Sequence, residues 1–138
     1  MHRWMALGVA MLSLIGVVAR AAQPADPLLV RPGAETFHEY CAACHGATGE
    51  GNGPVAIELK KPPADLTRIA ARRGGKFPDA DVARWIDGRF DVPAHGTREM
   101  PIWGRVFQDK VAPGTEPDEV VRGRILSLTE YLKTIQQP

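Results

Sequence analysis

The sequence predicts an all-α domain, and three observations lead there. No segment alternates polar and apolar residues in the two-residue rhythm of a half-buried strand, whereas apolar residues recur at three- and four-residue steps in several places. Glycine and proline are dense, 24 of the 117 residues after position 21, which favours short helices separated by loops. Leu, Ile, Val and Phe supply only 25 of those 117, about 21%, barely above the level at which chains stop forming cores. Coiled coils, membrane bundles and well-filled ordinary cores are excluded. A chain this lean either stays disordered or builds its core around a group that is not protein.

Each element follows from local chemistry. Met1–Arg3 is a short basic start, Trp4–Ala19 carries no charge, and Ala19-Arg20-Ala21 places small residues at a cleavage site, the three-part layout of a secretory signal peptide over 1–21. The uncharged run of 16 residues falls short of the roughly 20 that span a bilayer. Cleavage is therefore expected, with an uncleaved anchor as the alternative, and the folded part is exported in either case. Residues 22–32 hold Pro24, Pro27 and Pro32 and are expected to form an extended leader, ahead of a domain over 33–138.

From Gly33 the pattern turns helical, with Phe37, Tyr40, Cys41 and Cys44 on one face. Gly46–Pro54 breaks that helix with four glycines in nine residues. Val55–Leu59 can form a turn or two before Pro62-Pro63 stops it. Asp65 can cap a short helix reaching about Arg72, and Gly74-Gly75 ends it. Asp79 can cap the next, which runs to Gly88 with Val82, Trp85 and Ile86 inward. Arg89–Pro117 reads as one long irregular stretch, of the kind that usually carries function. Asp118–Gln136 is the strongest helix, with Val121, Ile125, Leu128, Leu132 and Ile135 in one apolar stripe.

Charge excludes further classes. The chain has 17 basic and 16 acidic residues, and removal of Arg3 and Arg20 with the signal leaves a net charge of −1. Nothing resembles the basic stripe of a nucleic-acid binder.

Cys41 and Cys44 are the only cysteines, and with His45 they form a C-x-x-C-H run, the attachment signature of c-type haem. Helix positions i and i+3 share a face, so two thiols can reach the two vinyl groups on one porphyrin edge while the next residue aims its imidazole at the iron. A thioredoxin-like dithiol needs a strand–helix setting that is absent here. A zinc site needs four ligands, usually as two spaced pairs. A single haem c, covalently held, is the cofactor expected.

Met100 is the only methionine after the signal and the candidate for the sixth iron position; a thioether opposite His favours ferrous iron and raises the potential. Pro101 biases it toward extended backbone. Packing is the plainer role for a lone methionine. His95 is the competing ligand, and His38, one turn before Cys41, is expected to face solvent. Arg68, Arg72, Arg73 and Lys76, joined by Arg84 and Arg89, form a basic cluster able to anchor a propionate or steer an acidic partner. A solvated helical face is the alternative.

These residues together resemble a class I, bacterial monohaem cytochrome c. The matching set is Gly33-x-x-x-Phe37, Tyr40 through Gly46, Gly51-x-Gly53-Pro54, Pro62 through Thr67, Trp85-Ile86-x-Gly88, Met100-Pro101-x-Trp103-Gly104 and Tyr131-Leu132. The resemblance implies four to five short helices around one haem, with crossed N- and C-terminal helices meeting at Gly33, Phe37, Leu128 and Tyr131. It also implies that a proline carbonyl orients the proximal imidazole. Pro63 is the first choice, with Pro54 and Pro62 as competitors. Trp103 resembles a tryptophan near the haem edge, and a core tryptophan under the ligand loop is the alternative.

The expected function is a periplasmic one-electron carrier, not an enzyme. It would cycle Fe(II)/Fe(III) between His45 and Met100 and meet redox partner proteins in transient, electrostatically steered encounters. The alternatives are a haem-bearing subunit of a larger dehydrogenase or oxidase complex and, last, a ligand-binding haem sensor or peroxidase. Nucleic acid is not a partner, and a membrane is one only through an uncleaved signal.

Overall fold

The computed structural model describes residues 24–89 and 100–138. The signal segment 1–21, the start of the leader and His95 lie outside the described residues. Among those described, the fold is all-helical: α1 (Pro27–Tyr40), α2 (Ala42–His45), α3 (Asp79–Asp87), α4 (Trp103–Gln108) and α5 (Pro117–Thr134). Three 3-10 turns, Ala56–Glu58, Leu66–Arg68 and Ala71–Arg73, fill the connection between α2 and α3. None of the described helices is long and apolar enough to cross a membrane.

The terminal helices α1 and α5 pack on each other, and Gly33 makes the approach possible. A Cβ on Gly33 would stand 1.9 Å from the Ser127 carbonyl oxygen, so only hydrogen fits there. Phe37 is fully buried beside it, its ring 5.2 Å from that of Tyr131. From α5, Val121, Ile125, Leu128 and Leu132 are buried as the apolar stripe predicts, while Leu126 is half exposed.

Two expectations about element bounds need correction. The leader is not extended to Pro32, because α1 already begins at Pro27. Proline at the first helical position loses no hydrogen bond and has its φ preset. Asp26 caps the turn by accepting from Leu28 N at 2.9 Å, and its own N–H donates to Glu130 Oε2 at 2.8 Å. Pro32 is tolerated inside the helix at the loss of one bond, and Thr36 Oγ1 donates back to the Pro32 carbonyl at 2.8 Å. The stretch from Arg89 to Pro117 is likewise not wholly irregular, since α4 lies within it. A six-residue helix is too short to hold itself. Burial of Gly104 and Phe107, with Trp103 stacked on Phe107 at 5.9 Å, holds it in place.

The short elements follow their caps. Asp65 Oδ1 accepts from both Thr67 N and Thr67 Oγ1, at 2.8 and 2.6 Å, and Gly74 ends the last 3-10 turn in the left-handed conformation. Asp79 is the first residue of α3 and makes no capping bond; instead it pairs with Lys133, which also holds the buried Glu130. Burial drags the Lys133 ammonium pKa down, but Asp79 and Glu130 outweigh that and hold it above the ordinary lysine value.

Candidate haem site

Among the described residues the core does not close on itself. Six of the nine buried apolar residues described (Phe37, Ile69, Val82, Ile86, Leu128 and Leu132) face a cavity of about 500 Å³. That volume lies within the roughly 300–1,000 Å³ common to cofactor sites.

Cys41, Cys44 and His45 enter this cavity from the junction of α1 and α2. Cys41 is the hinge residue: its N–H bonds to the Phe37 carbonyl at 2.8 Å, and its own carbonyl accepts from Cys44 N at 3.1 Å and His45 N at 2.9 Å. The helical hydrogen bonding thus continues across the break and keeps both sulfurs on the cavity side. The carbonyls at the end of α2 have no partner within the helix. The Gly-rich loop returns to supply them: Val55 N donates to Ala43 O, Gly53 N to Cys44 O and Gly51 N to His45 O, at 3.0, 3.1 and 2.7 Å. A Cβ on Gly53 would lie 2.3 Å from the Ala43 carbonyl oxygen, which is why this return needs glycine.

His45 Nδ1 lies 2.9 Å from the Ala64 carbonyl oxygen. A carbonyl can only accept, so Nδ1 carries the proton and Nε2 keeps its lone pair for a metal. The orienting carbonyl is therefore that of Ala64, and not that of Pro63, Pro54 or Pro62. The reason is local: the Pro63 carbonyl is turned onto Gly51, where a Cβ would come within 2.6 Å of it. Pro63 and Pro62 still line the cavity.

Burial sets the electrostatics. It pushes the Cys41 thiol up to about 12, with a smaller contribution from neighbouring Cys44. It also lowers the His45 pKa, against the opposing pull of the Ala64 carbonyl. A thiolate at Cys41 is thereby disfavoured, and a neutral imidazole at His45 is favoured. A thioether bond to a porphyrin keeps sulfur uncharged, so this donor set fits a covalent haem.

Met100 reaches the same cavity with Pro101 and Trp103, on the chain leading into α4. Trp103 lines the cavity and packs edge-on to Tyr40 at 5.7 Å. His38 is exposed, as expected. The basic cluster divides. Arg72 and Arg73 are exposed and line the cavity, as does Lys61, which the sequence reading did not single out. Arg72 Nη2 donates to the Asp65 carbonyl at 2.7 Å, and the Arg73 guanidinium lies 5.2 Å from the Trp85 ring. Arg84 pairs with Asp81, and Arg89 with Asp87 and Asp118, so Arg89 is not part of a free basic surface. Ala64 was also missed, and no sequence signal marks it, because any residue offers a carbonyl.

Comparison with known proteins identifies the family. Searches of curated proteins and of solved structures gave no match. The family model described as cytochrome C oxidase, cbb3-type, subunit III matches residues 29–112, from within α1 to just before α5. The family implies covalent haem c, and Cys41 and Cys44 are consistent with one attachment site. With more than half its length matched, the chain belongs to this family and is a cytochrome c domain of the cbb3 oxidase subunit III type.

Proposed function

We propose that this chain is an exported monohaem electron carrier, with haem held through Cys41 and Cys44 and its iron ligated by His45 and Met100. The bound haem would supply a one-electron Fe(II)/Fe(III) couple. The observation that carries the reading is convergence: Cys41, Cys44 and His45, near α1, and Met100, beside α4, line one largely apolar cavity. His45 presents Nε2 because Ala64 holds Nδ1, an outer contact that also makes the imidazole a better donor. Met100 adds a neutral, soft sulfur that favours the reduced state and leaves no open position for substrate. Phe37, Trp103 and the aliphatic wall would give a bound haem an apolar surrounding. Arg72, Arg73 and Lys61, exposed at the cavity, offer positive charge toward an acidic redox partner.

The test is spectroscopic. Holoprotein made in an exporting host should carry one covalent haem, show the Met–iron charge-transfer band when oxidised, and resist CO when reduced. Absence of that band together with ready CO binding at neutral pH would overturn Met100 ligation. N-terminal sequencing of the same material should start at Ala22 if the signal is cleaved and the protein is periplasmic.

One finding favours a second reading, in which the domain works as a haem-bearing subunit or close partner of a terminal oxidase. That finding is the family's own description as an oxidase subunit. Purification at low salt separates the readings: a free carrier elutes alone, whereas a subunit brings a catalytic partner with it.

A further inference from the structure

The cavity and its ligands leave one cluster unused. Asp87, Arg89 and Asp118 form an ion cluster against the start of α4. Arg89 grips Asp87 with two parallel bonds, Nε to Oδ1 at 2.6 Å and Nη2 to Oδ2 at 3.0 Å. Its remaining arm, Nη1, reaches Asp118 Oδ1 at 2.7 Å. Two-pronged arginine–carboxylate pairs are the strong and directional form of the contact. The Asp87 and Arg89 side chains are only 12% and 21% exposed. Asp118 is more open, but it sits in the first turn of α5, where the helix dipole favours a carboxylate.

The start of α4 meets the same pair. A Cβ on Gly104 would stand 2.1 Å from Asp87 Oδ1 and 2.7 Å from Arg89 Nε, so the start of α4 lies directly on it. Gly88, left-handed at φ 62°, backs onto Ile102 within 3.4 Å of where its Cβ would be. One cluster therefore joins the end of α3, the start of α4 and the start of α5, four residues from Met100. None of Asp87, Arg89, Gly104 or Asp118 lines the cavity.

We propose that the Asp87–Arg89–Asp118 cluster is a positioning device for the Met100 thioether, fixing the start of α4, four residues beyond Met100, against α3 and α5. This rests on the reading of Met100 as the sixth ligand. Fixing the start of α4 restricts the positions open to Met100, so the competent one is populated before the bond to iron forms. Arg89 and its partners act through Met100 and touch neither haem nor iron.

The experiment uses the holoprotein and its Arg89→Met, Arg89→Lys, Asp118→Asn and Gly104→Ala variants. Met100→Ala serves as reference and Arg84→Met, which breaks an exposed ion pair on the same helix, as control. The readouts are the Met–iron charge-transfer band of the oxidised protein and the CO affinity of the reduced protein, beside the thermal midpoint. Arg89→Met should weaken the band and raise CO affinity on the order of tenfold as the Met-off population grows. Arg89→Lys should recover part of this, keeping the charge but not the fork. Asp118→Asn and Gly104→Ala should move both readouts the same way by less, and they decide the matter if Arg89→Met does not fold. Arg84→Met should change neither readout. If the cluster variants lower the midpoint but leave band and CO affinity at wild-type values, the cluster is merely structural and the inference is overturned. If Met100→Ala itself keeps the band, the ligand assignment falls first, and the two failures are told apart.

Discussion

Replacing glycine by alanine at two helical positions should move stability in opposite directions. Gly33→Ala puts a methyl 1.9 Å from the Ser127 carbonyl oxygen, where ordinary contact begins at 3.4 Å, a shortfall of about 1.5 Å against rigid backbone. The Tyr131 Cβ, at 2.9 Å, blocks sideways escape. Helix α1 must back away from α5, loosening the Phe37–Tyr131 ring contact at 5.2 Å. Overpacking of this kind costs about 1–3 kcal/mol. Alanine's better helix propensity returns roughly 0.5–1 kcal/mol. The net loss, centred on about 1 kcal/mol and reaching at most about 2.5 kcal/mol, corresponds to a Tm drop of roughly 5 °C and at most about 10 °C for a domain near 100 residues. Gly123, in the middle of α5, has nothing within 4 Å of an added Cβ, so Gly123→Ala keeps only the propensity gain. Its Tm should rise by roughly 2–4 °C. Thermal unfolding of the three holoproteins at equal haem content measures both shifts. The close-approach argument is refuted if Gly33→Ala is as stable as Gly123→Ala.

Met100→Ala should lower the reduction potential and open the iron to CO, and an unchanged potential in redox titration would remove Met100 from the coordination sphere. Cys41→Ala with Cys44→Ala should abolish covalent attachment, read by haem stain after denaturing electrophoresis. It should also leave the chain poorly folded, because six of the nine core residues among those described face the cavity; a cooperative unfolding transition in that variant would contradict this. Glu130→Ala removes the acceptor of the Asp26 N–H and one partner of Lys133 (2.8 and 2.7 Å) from a buried site. Loss of charge-assisted bonds there should cost roughly 1.5–3 kcal/mol in denaturant unfolding. A change within error would mean that the contact tying α5 to the start of α1 is idle.

The parts legible in the sequence are those with a short-range cause. The i, i+3, i+4 spacing of Cys41, Cys44 and His45 places them on one side of a turn whatever surrounds them. The stripe from Val121 to Leu132 declares its buried face, and Gly74 and Gly88 end their helices by taking the left-handed conformation that L side chains avoid. The lean core also had a local trace: too few apolar residues to fill the interior meant that something else must, and a cavity of about 500 Å³ stands where the core would be.

Other features depend on residues far apart in the chain. The start of α1 is fixed with help from Glu130, 104 positions away from Asp26, so prolines that suggest an extended leader end up at and inside a helix. Helix α4 exists because Trp103 and Phe107 pack on each other and on Tyr40. The orientation of His45 turns on which backbone carbonyl arrives beside it 19 residues later. That is settled by how the loop at Gly51 meets Pro63 and Ala64. Composition, periodicity and motif spacing by themselves determined the helical class and the cofactor chemistry, since these follow from neighbours along the chain. The tertiary structure alone decided the carbonyl behind the imidazole, the onset of the first helix and the ion cluster beside Met100. Each is a meeting of distant segments, whose geometry exists only once the loops between them have closed.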